Sequence, residues 1–286
     1  MVQTIGNPLS WGARALGDAG RTAGDVATHL GSSEDLKPNV RSLGLYDVRA
    51  ALSLGWQDMM RFRSDVLALV FIYPMIGLAL AFLAFEQALL PMLFPLAAGF
   101  ALLGPVASIG MYEISRQQED SGTASWGSAL AALRGRVVGP VMVLGLFLLG
   151  WFMLWMAAAF AIYSMTLGPA MPESTVGFVS DVFTTSAGWM MIFLGMAVGA
   201  IFATVVLIVS AIGFPMLIDK PVGLPVAVVT SAKVFDQNRA TMLMWGICVA
   251  VLLAIATIPV FLGLILVLPW LGHATWHLYR MAVSYD

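Results

Sequence analysis

Over most of this chain apolar residues neither alternate nor recur at helical spacing; they run together. Predominantly apolar stretches without Asp, Glu, Lys or Arg occupy about 66–85, 88–112, 137–165, 187–218 and 241–279. A helix crossing a bilayer needs about 20 apolar residues, because hydrocarbon offers no water to satisfy backbone polar groups. Each of the first four stretches therefore predicts one spanning helix, with Glu86-Gln87 as a tight turn between the first two. The fifth, as one helix, would be roughly 58 Å long, about twice the hydrocarbon thickness. A single crossing would also leave Arg239 and Arg280 on opposite faces. A turn near Thr257-Ile258-Pro259 removes both conflicts and brings the prediction to six spans in three hairpins.

Ahead of each hairpin the pattern changes to helical periodicity. Val48, Ala51, Leu52, Trp56 and Met59 share one face, with Arg49, Ser53 and Gln57 on the other. Ser125 is placed to cap a helix with Trp126, Ala129, Leu130 and Leu133 on one side, and a third segment starts at Pro225 and uses Val228, Ala232 and Phe235. Such segments suit the membrane interface, with aromatic rings at headgroup depth. The second, fourth and sixth spans each carry a proline near the same end: Pro105, Pro215 and Pro269. The predicted fold is an all-α polytopic membrane protein: six transmembrane helices as three hairpins over residues 46–282, each hairpin preceded by a short interfacial helix. Residues 1–45 lack an apolar run and are predicted to be a disordered cytoplasmic arm.

Charge sets the orientation. Only 10% of the 286 residues are charged and 60% are hydrophobic, where a soluble domain has about a quarter charged. In the alternating topology all 14 basic residues fall on one side. Arg14, Arg21, Lys37, Arg41, Arg49, Arg61 and Arg63 precede the first span; Arg116, Arg134 and Arg136 follow the second; Lys220, Lys233 and Arg239 follow the fourth; Arg280 follows the sixth. The opposite connections hold only Glu86, Glu173 and Asp181. The positive-inside rule then puts both termini in the cytoplasm. Residues 1–48 lack the apolar core of a cleavable signal, so insertion is expected to be directed by the first span. The net charge of −2 says nothing about a nucleic-acid partner, but no basic stripe with interleaved aromatics appears, so none is expected. The single cysteine, Cys248, lies within a span and builds neither a disulfide framework nor a Cys-based metal cluster.

Candidate chemistry is sparse. His273 and His277 are four apart, on one face of the sixth helix, as paired imidazole ligands would be. Glu113 and Asp219 sit at matching depths after Pro105 and Pro215. If the three even helices converge, His273, His277, Glu113 and Asp219 could hold a metal ion or a proton; the other reading is anchoring at headgroups and helix ends. Arg116 and Arg280 follow helix ends, where cations complement the dipole and anionic lipid. Gly195 and Gly199 form a GxxxG stripe continued by Ala203, suited to close helix packing within the chain or with another membrane protein. Trp151, Trp155 and Trp189 read as aromatic-belt residues. No Asp, Glu, Lys, Arg or His falls at the middle of a span, which argues against an ion-coupled carrier. No nucleophilic triad, phosphate loop or dinucleotide fingerprint appears, so no catalytic or cofactor-binding residue is assigned and the chain is expected not to be an enzyme.

Three segments resemble a family of integral membrane proteins catalogued as domain of unknown function 2189: Pro105-Val106-Ala107-Ser108-Ile109-Gly110-Met111-Tyr112-Glu113-Ile114-Ser115-Arg116, Phe214-Pro215-Met216-Leu217-Ile218-Asp219 and Leu271-Gly272-His273-Ala274-Thr275-Trp276-His277-Leu278-Tyr279-Arg280. The resemblance covers roughly residues 45–282. It implies a polytopic bacterial inner-membrane protein, with no activity and no catalytic residues to carry over. Some relatives bear a cytochrome c oxidase label, but three histidines in the whole chain cannot supply that enzyme's haem and copper ligands. The functional expectation is a non-enzymatic scaffold or accessory subunit of a membrane complex, a respiratory one included; the alternative is a passive permease or lipid-handling protein with a cleft between hairpins.

Overall fold

A computed structural model of the chain describes residues 37–61, 89–102, 104–125, 137–259 and 262–285, with the isolated positions 75, 82 and 127. The predicted first span, the Glu86-Gln87 turn, residues 1–36 of the predicted arm and nearly all of the second amphipathic segment lie outside the described residues. Strand β1 (Pro38–Val40) is followed by helix α1 (Leu45–Arg61), then by a 3-10 turn (Leu90–Met92), α2 (Leu93–Leu102), α3 (Gly104–Ala107) and α4 (Ile109–Ser121). Next come α5 (Val138–Thr166), α6 (Thr175–Thr184), α7 (Ser186–Ser210) and α8 (Gly213–Asp219). The chain ends with α9 (Leu224–Gln237), α10 (Arg239–Thr257), α11 (Leu264–Ala282) and strand β2 (Val283–Tyr285).

Among the described residues, three helices are long and apolar enough to cross a membrane: α5, α7 taken with α8, and α10. The long 241–279 stretch does break where length and charge require, after Thr257, and helix resumes at Leu264. Yet α11 is not a uniformly apolar rod. From Leu271 to Ala282 eight of the twelve residues are buried and the other four half-buried, packed against α1, α4 and α8. The expected sixth span is therefore not among the helices long and apolar enough to cross a membrane, because the second half of α11 belongs to a protein core.

That core lies at one end of the helices. Leu43, Val48 and Ala51 meet Tyr112 of α4, Leu144 and Leu148 of α5, Phe214 and Met216 of α8, Val234 of α9, Trp245 of α10, and Trp276 and Tyr279 of α11. Away from this layer the helices are thinly covered: only 17%, 11% and 22% of the most apolar parts of the three long helices are buried within the chain. A smaller cluster of Trp155, Ala159 and Phe202 joins α5 to α7 at mid-helix.

Several expectations need correction. Residues 38–44 are ordered and are not a disordered arm. Strand β1 pairs antiparallel with β2, Val40 opposite Val283, which adds a small two-stranded sheet to the helices of the described residues. The Leu43 N–H donates to Asn238 Oδ1 at 2.6 Å, Asn238 Nδ2 donates to the Arg41 carbonyl at 3.1 Å, and Thr241 Oγ1 donates to the Leu43 carbonyl at 2.9 Å. One buried amide at the α9–α10 joint therefore holds the entering chain. Helix α1 starts where expected, because Asp47 accepts the Gly44 N–H at 2.7 Å as a capping residue does. Its buried face is Val48, Ala51, Gly55 and Met59, while Trp56 sits edge-on to Trp270 with centroids 5.2 Å apart.

Helix α9 is turned by about one residue from the predicted face: Ala227, Thr230, Ser231 and Val234 are buried, and Val228, Ala232 and Phe235 are half-buried. The cause is Ser231. Its hydroxyl donates to the Ile208 carbonyl at 2.6 Å and accepts from the Ile212 N–H at 3.4 Å. It stands in the i→i−4 hydrogen bond that would have joined α7 to α8, and a side chain in that ladder breaks a helix.

Among the described residues the glycine stripe does not bring two backbones together. Gly199 faces the Trp155 indole of α5, where an added Cβ would lie 3.2 Å from Cη2; Gly195 faces open space and Ala203 is exposed. Trp155 is buried and Trp151 half-buried, and both are tied to the chain rather than free in a belt: their indole N–H groups donate to the carbonyls of Pro95 at 2.8 Å and Phe202 at 3.1 Å.

Candidate functional site

The helix-end core contains an unusual amount of buried polarity. Ser115 and His273 are almost fully buried, Asp58 and His277 largely so. Helix α4 presents Ser115 because Ile109, Tyr112 and Ile114 bury that side of it. Helix α11 presents both histidines four residues apart, and α1 presents Asp58 from the turn before its end. The two helices can meet at this distance because Gly55 has no side chain: a Cβ there would overlap the backbone of Ala274.

Asp58 Oδ2 is the hub. It accepts the Ser115 hydroxyl at 2.6 Å and lies 2.8 Å from His277 Nε2. Ser115 Oγ is in turn 2.8 Å from His273 Nδ1. A hydroxyl has one proton, and Ser115 gives it to Asp58, so the proton between Ser115 and His273 belongs to Nδ1. The chain of donation runs from His273 through Ser115 to Asp58, with His277 donating from the other side. Burial alone would raise the Asp58 carboxyl, but hydrogen bonds from His277 and Ser115 and the nearby imidazoles outweigh it and hold the group below its ordinary value of 3.8. A serine nucleophile needs imidazole to accept its proton; here the order is reversed, and the arrangement is suited to joining three helices.

A second network lies beside it. Glu113, buried, takes two hydrogen bonds from the Arg116 guanidinium at 2.6 and 2.8 Å and one from Gln117 at 2.7 Å. Asp219 accepts the Tyr279 hydroxyl at 2.6 Å and lies 3.4 Å from Arg280, which also pairs with Glu119 at 2.9 Å. Tyr279 and Tyr285 share a hydroxyl contact at 2.8 Å, and burial beside Asp219 pushes the Tyr285 phenol up to about 12.

The four predicted metal ligands are therefore placed in different partnerships. Helices α4, α8 and α11 do pack on one another, but Glu113 is engaged by Arg116, Asp219 by Tyr279 and Arg280, and the histidines by Ser115 and Asp58. Among the described residues no group of three or more His, Cys, Asp or Glu is arranged to hold a metal ion. The expected four-residue ligand set is corrected on that geometry: each carboxylate already has a cation or hydroxyl. Sequence reasoning missed Asp58 and Ser115. Asp58 falls on the polar face of an amphipathic helix, where periodicity assigns it to water, and only the α1–α11 crossing reveals its partner.

Residues 92–219 match the model of a family described as predicted integral membrane protein (DUF2189). The matched segment runs from the start of α2 to the end of α8; it contains Glu113, Ser115 and Asp219, and leaves Asp58, His273 and His277 outside. No curated protein and no solved structure matches the chain.

Proposed function

We propose that this integral membrane protein is a multi-pass component of the bacterial inner membrane, with both termini cytoplasmic, that acts without catalysis as a scaffold or accessory subunit of a membrane complex. The observation that supports this reading is the uneven packing. The helix ends are locked around a filled core of Trp245, Trp276, Tyr112 and Phe214, whereas the long helices, although α5 and α7 pack on each other through Trp155 and Phe202, leave most of their apolar surface uncovered and present Met153, Phe193, Met196, Ile201 and Ile247 outward. A carrier must enclose a path between its spans; outward apolar faces on thinly packed helices are available to lipid and to other membrane helices.

The test is purification in mild detergent with every co-purifying protein and lipid identified. A stoichiometric protein partner that crosslinks to α5, α7 or α10 supports the proposal. A chain that purifies alone and speeds solute or lipid passage in vesicles overturns it in favour of the permease or lipid-handling role. Orientation is tested separately with single cysteines in a Cys248→Ser background. Position 120 should label from the cytoplasm and position 173 from outside; the reverse would overturn the topology.

A further inference from the structure

Helix α6, in the connection between α5 and α7, has no counterpart in the predicted hairpin pattern. Eight of its ten residues fall into three strips. Phe178 and Val182 are turned toward the protein, Phe178 edge-on to Tyr163 of α5 with centroids 6.2 Å apart. Ser180, Asp181 and Thr184 form a polar exposed strip. Between the two lie Val176, Val179 and Phe183, spaced i, i+3, i+7 on one side, and these are 81%, 48% and 59% exposed. An apolar strip this bare on a helix already docked by another face needs an occupant.

The strip is held in a fixed direction. Ser174 caps α6 by accepting the Gly177 N–H at 3.0 Å. At the far end Thr185 does two things: its hydroxyl donates to the Asp181 carbonyl at 2.6 Å and accepts the Gly188 N–H at 2.9 Å, ending α6 and starting α7 in one residue. Gly188 closes the corner, since a Cβ there would overlap the carbonyls of Asp181 and Val182. Trp189, exposed in the first turn of α7, donates its indole N–H to the Phe183 carbonyl at 3.0 Å. An exposed tryptophan at the end of an apolar helix marks the depth of the membrane–water boundary.

From this placement we infer that α6 is an in-plane anchor, lying at the lipid–water boundary with Val176, Val179 and Phe183 in the acyl region and Ser180, Asp181 and Thr184 toward water. The occupant is lipid because the two spans that α6 connects also turn bare apolar side chains outward, Phe160 and Met165 of α5 and Met190 and Phe193 of α7. The helix carries an acid and no base, so its attachment depends on apolar burial and not on anionic headgroups. An amphipathic helix with one apolar side is suited to that position.

Spin labels test this in the full chain, reconstituted in vesicles of zwitterionic phospholipid, each on one introduced cysteine in the Cys248→Ser background. Labels at 176, 179 and 183 should collide several-fold more with oxygen than with a water-soluble nickel chelate, and labels at 180, 181 and 184 should show the opposite ratio. Labels at 153 and 196 report whether the spans themselves are in lipid, which keeps a failure of α6 distinct from a failure of the membrane reading. Nickel access at all six α6 positions overturns the anchor. Low access to both reagents at 176, 179 and 183 also overturns it, because the strip would then be covered by protein. If a label at 183 prevents folding, the ratio at 176 against that at 180 decides the question.

Discussion

Gly55 of α1 and Ala274 of α11 approach so closely that a single Cβ on Gly55 would overlap the Ala274 backbone. The neighbouring links depend on that approach. The Trp270 indole N–H reaches the Leu52 carbonyl at 2.7 Å, and Asp58 reaches His277 one turn further along. Gly55→Ala should therefore cost stability, by about 1–3 kcal/mol for an overpacked site, although alanine is the better helix former. Gly150 of α5 is the control, since a Cβ there meets nothing within 4 Å; Gly150→Ala should be neutral or gain up to about 1 kcal/mol. Thermal midpoints in detergent compare the two, and equal midpoints would mean the crossing relaxes freely.

Ser231 offers a second measurement. Removing its hydroxyl leaves the Ile208 carbonyl and the Ile212 N–H facing each other across a broken helix, with a cost of about 1–3 kcal/mol for buried groups left unpaired. Ser231→Ala should lower the thermal midpoint and speed amide exchange around 208–212, while Ser231→Thr keeps the hydroxyl and should restore much of the loss. Unchanged exchange in Ser231→Ala would show that the α7–α8 break is set by Pro215 instead.

The fate of the amphipathic segments shows what periodicity can and cannot read. The third segment was legible as a helix, since α9 begins beside Pro225 as expected. Its buried face was not, because the scoring of apolar positions gives no weight to a serine that satisfies a backbone group on another helix. The break after Thr257 was legible because length and the sidedness of Arg239 and Arg280 both demanded it. Order in residues 38–44 was not: the segment is short, and its partners are distant in sequence, strand β2 and Thr241 together with Asn238, which is 195 positions away from Leu43. Asp58 and Ser115 belong to the same class, as polar residues whose partners lie on helices distant in sequence.

Asn238 can be tested by proteolysis. Asn238→Ala removes the amide that holds both Leu43 and Arg41 and leaves their backbone groups at a packed joint. The variant should be cleaved by trypsin after Arg41 faster than the parent. Deleting residues 283–286 should do the same by removing the strand that pairs with Pro38–Val40. If neither change exposes Arg41, the segment is held by the packing of Leu43 and Val40 alone.

The Asp58 hub implies an acid limit. Its carboxyl is held below the ordinary value of 3.8, mainly through His277 and Ser115 acting against burial, with His273 further along the chain. A group whose folded value is depressed contributes stability above its unfolded value, and that contribution is lost as pH falls through the folded value. The parent should therefore lose midpoint progressively below about pH 4, in part through Asp58. Asp58→Asn should be less stable at neutral pH and should lack that component of the acid loss. Parallel acid limbs in parent and variant would show that the hub is not formed in solution.

The two glycines of α7 make opposite predictions. Gly199 faces the Trp155 indole, whose ring also packs on Phe202 with centroids 5.6 Å apart and whose N–H is fixed on Pro95. The ring cannot retreat without breaking that hydrogen bond. Gly199→Leu should thus be destabilising by about 1–3 kcal/mol, the range for an overfilled contact. Gly195 has nothing within 4 Å, so Gly195→Leu adds a side chain to an open surface and should leave the midpoint of the purified chain unchanged. A fall in midpoint for Gly195→Leu equal to that for Gly199→Leu would mean that another molecule occupies the Gly195 side in detergent. Crosslinking from position 195 would then identify whether that molecule is a second copy of this chain or a different membrane protein.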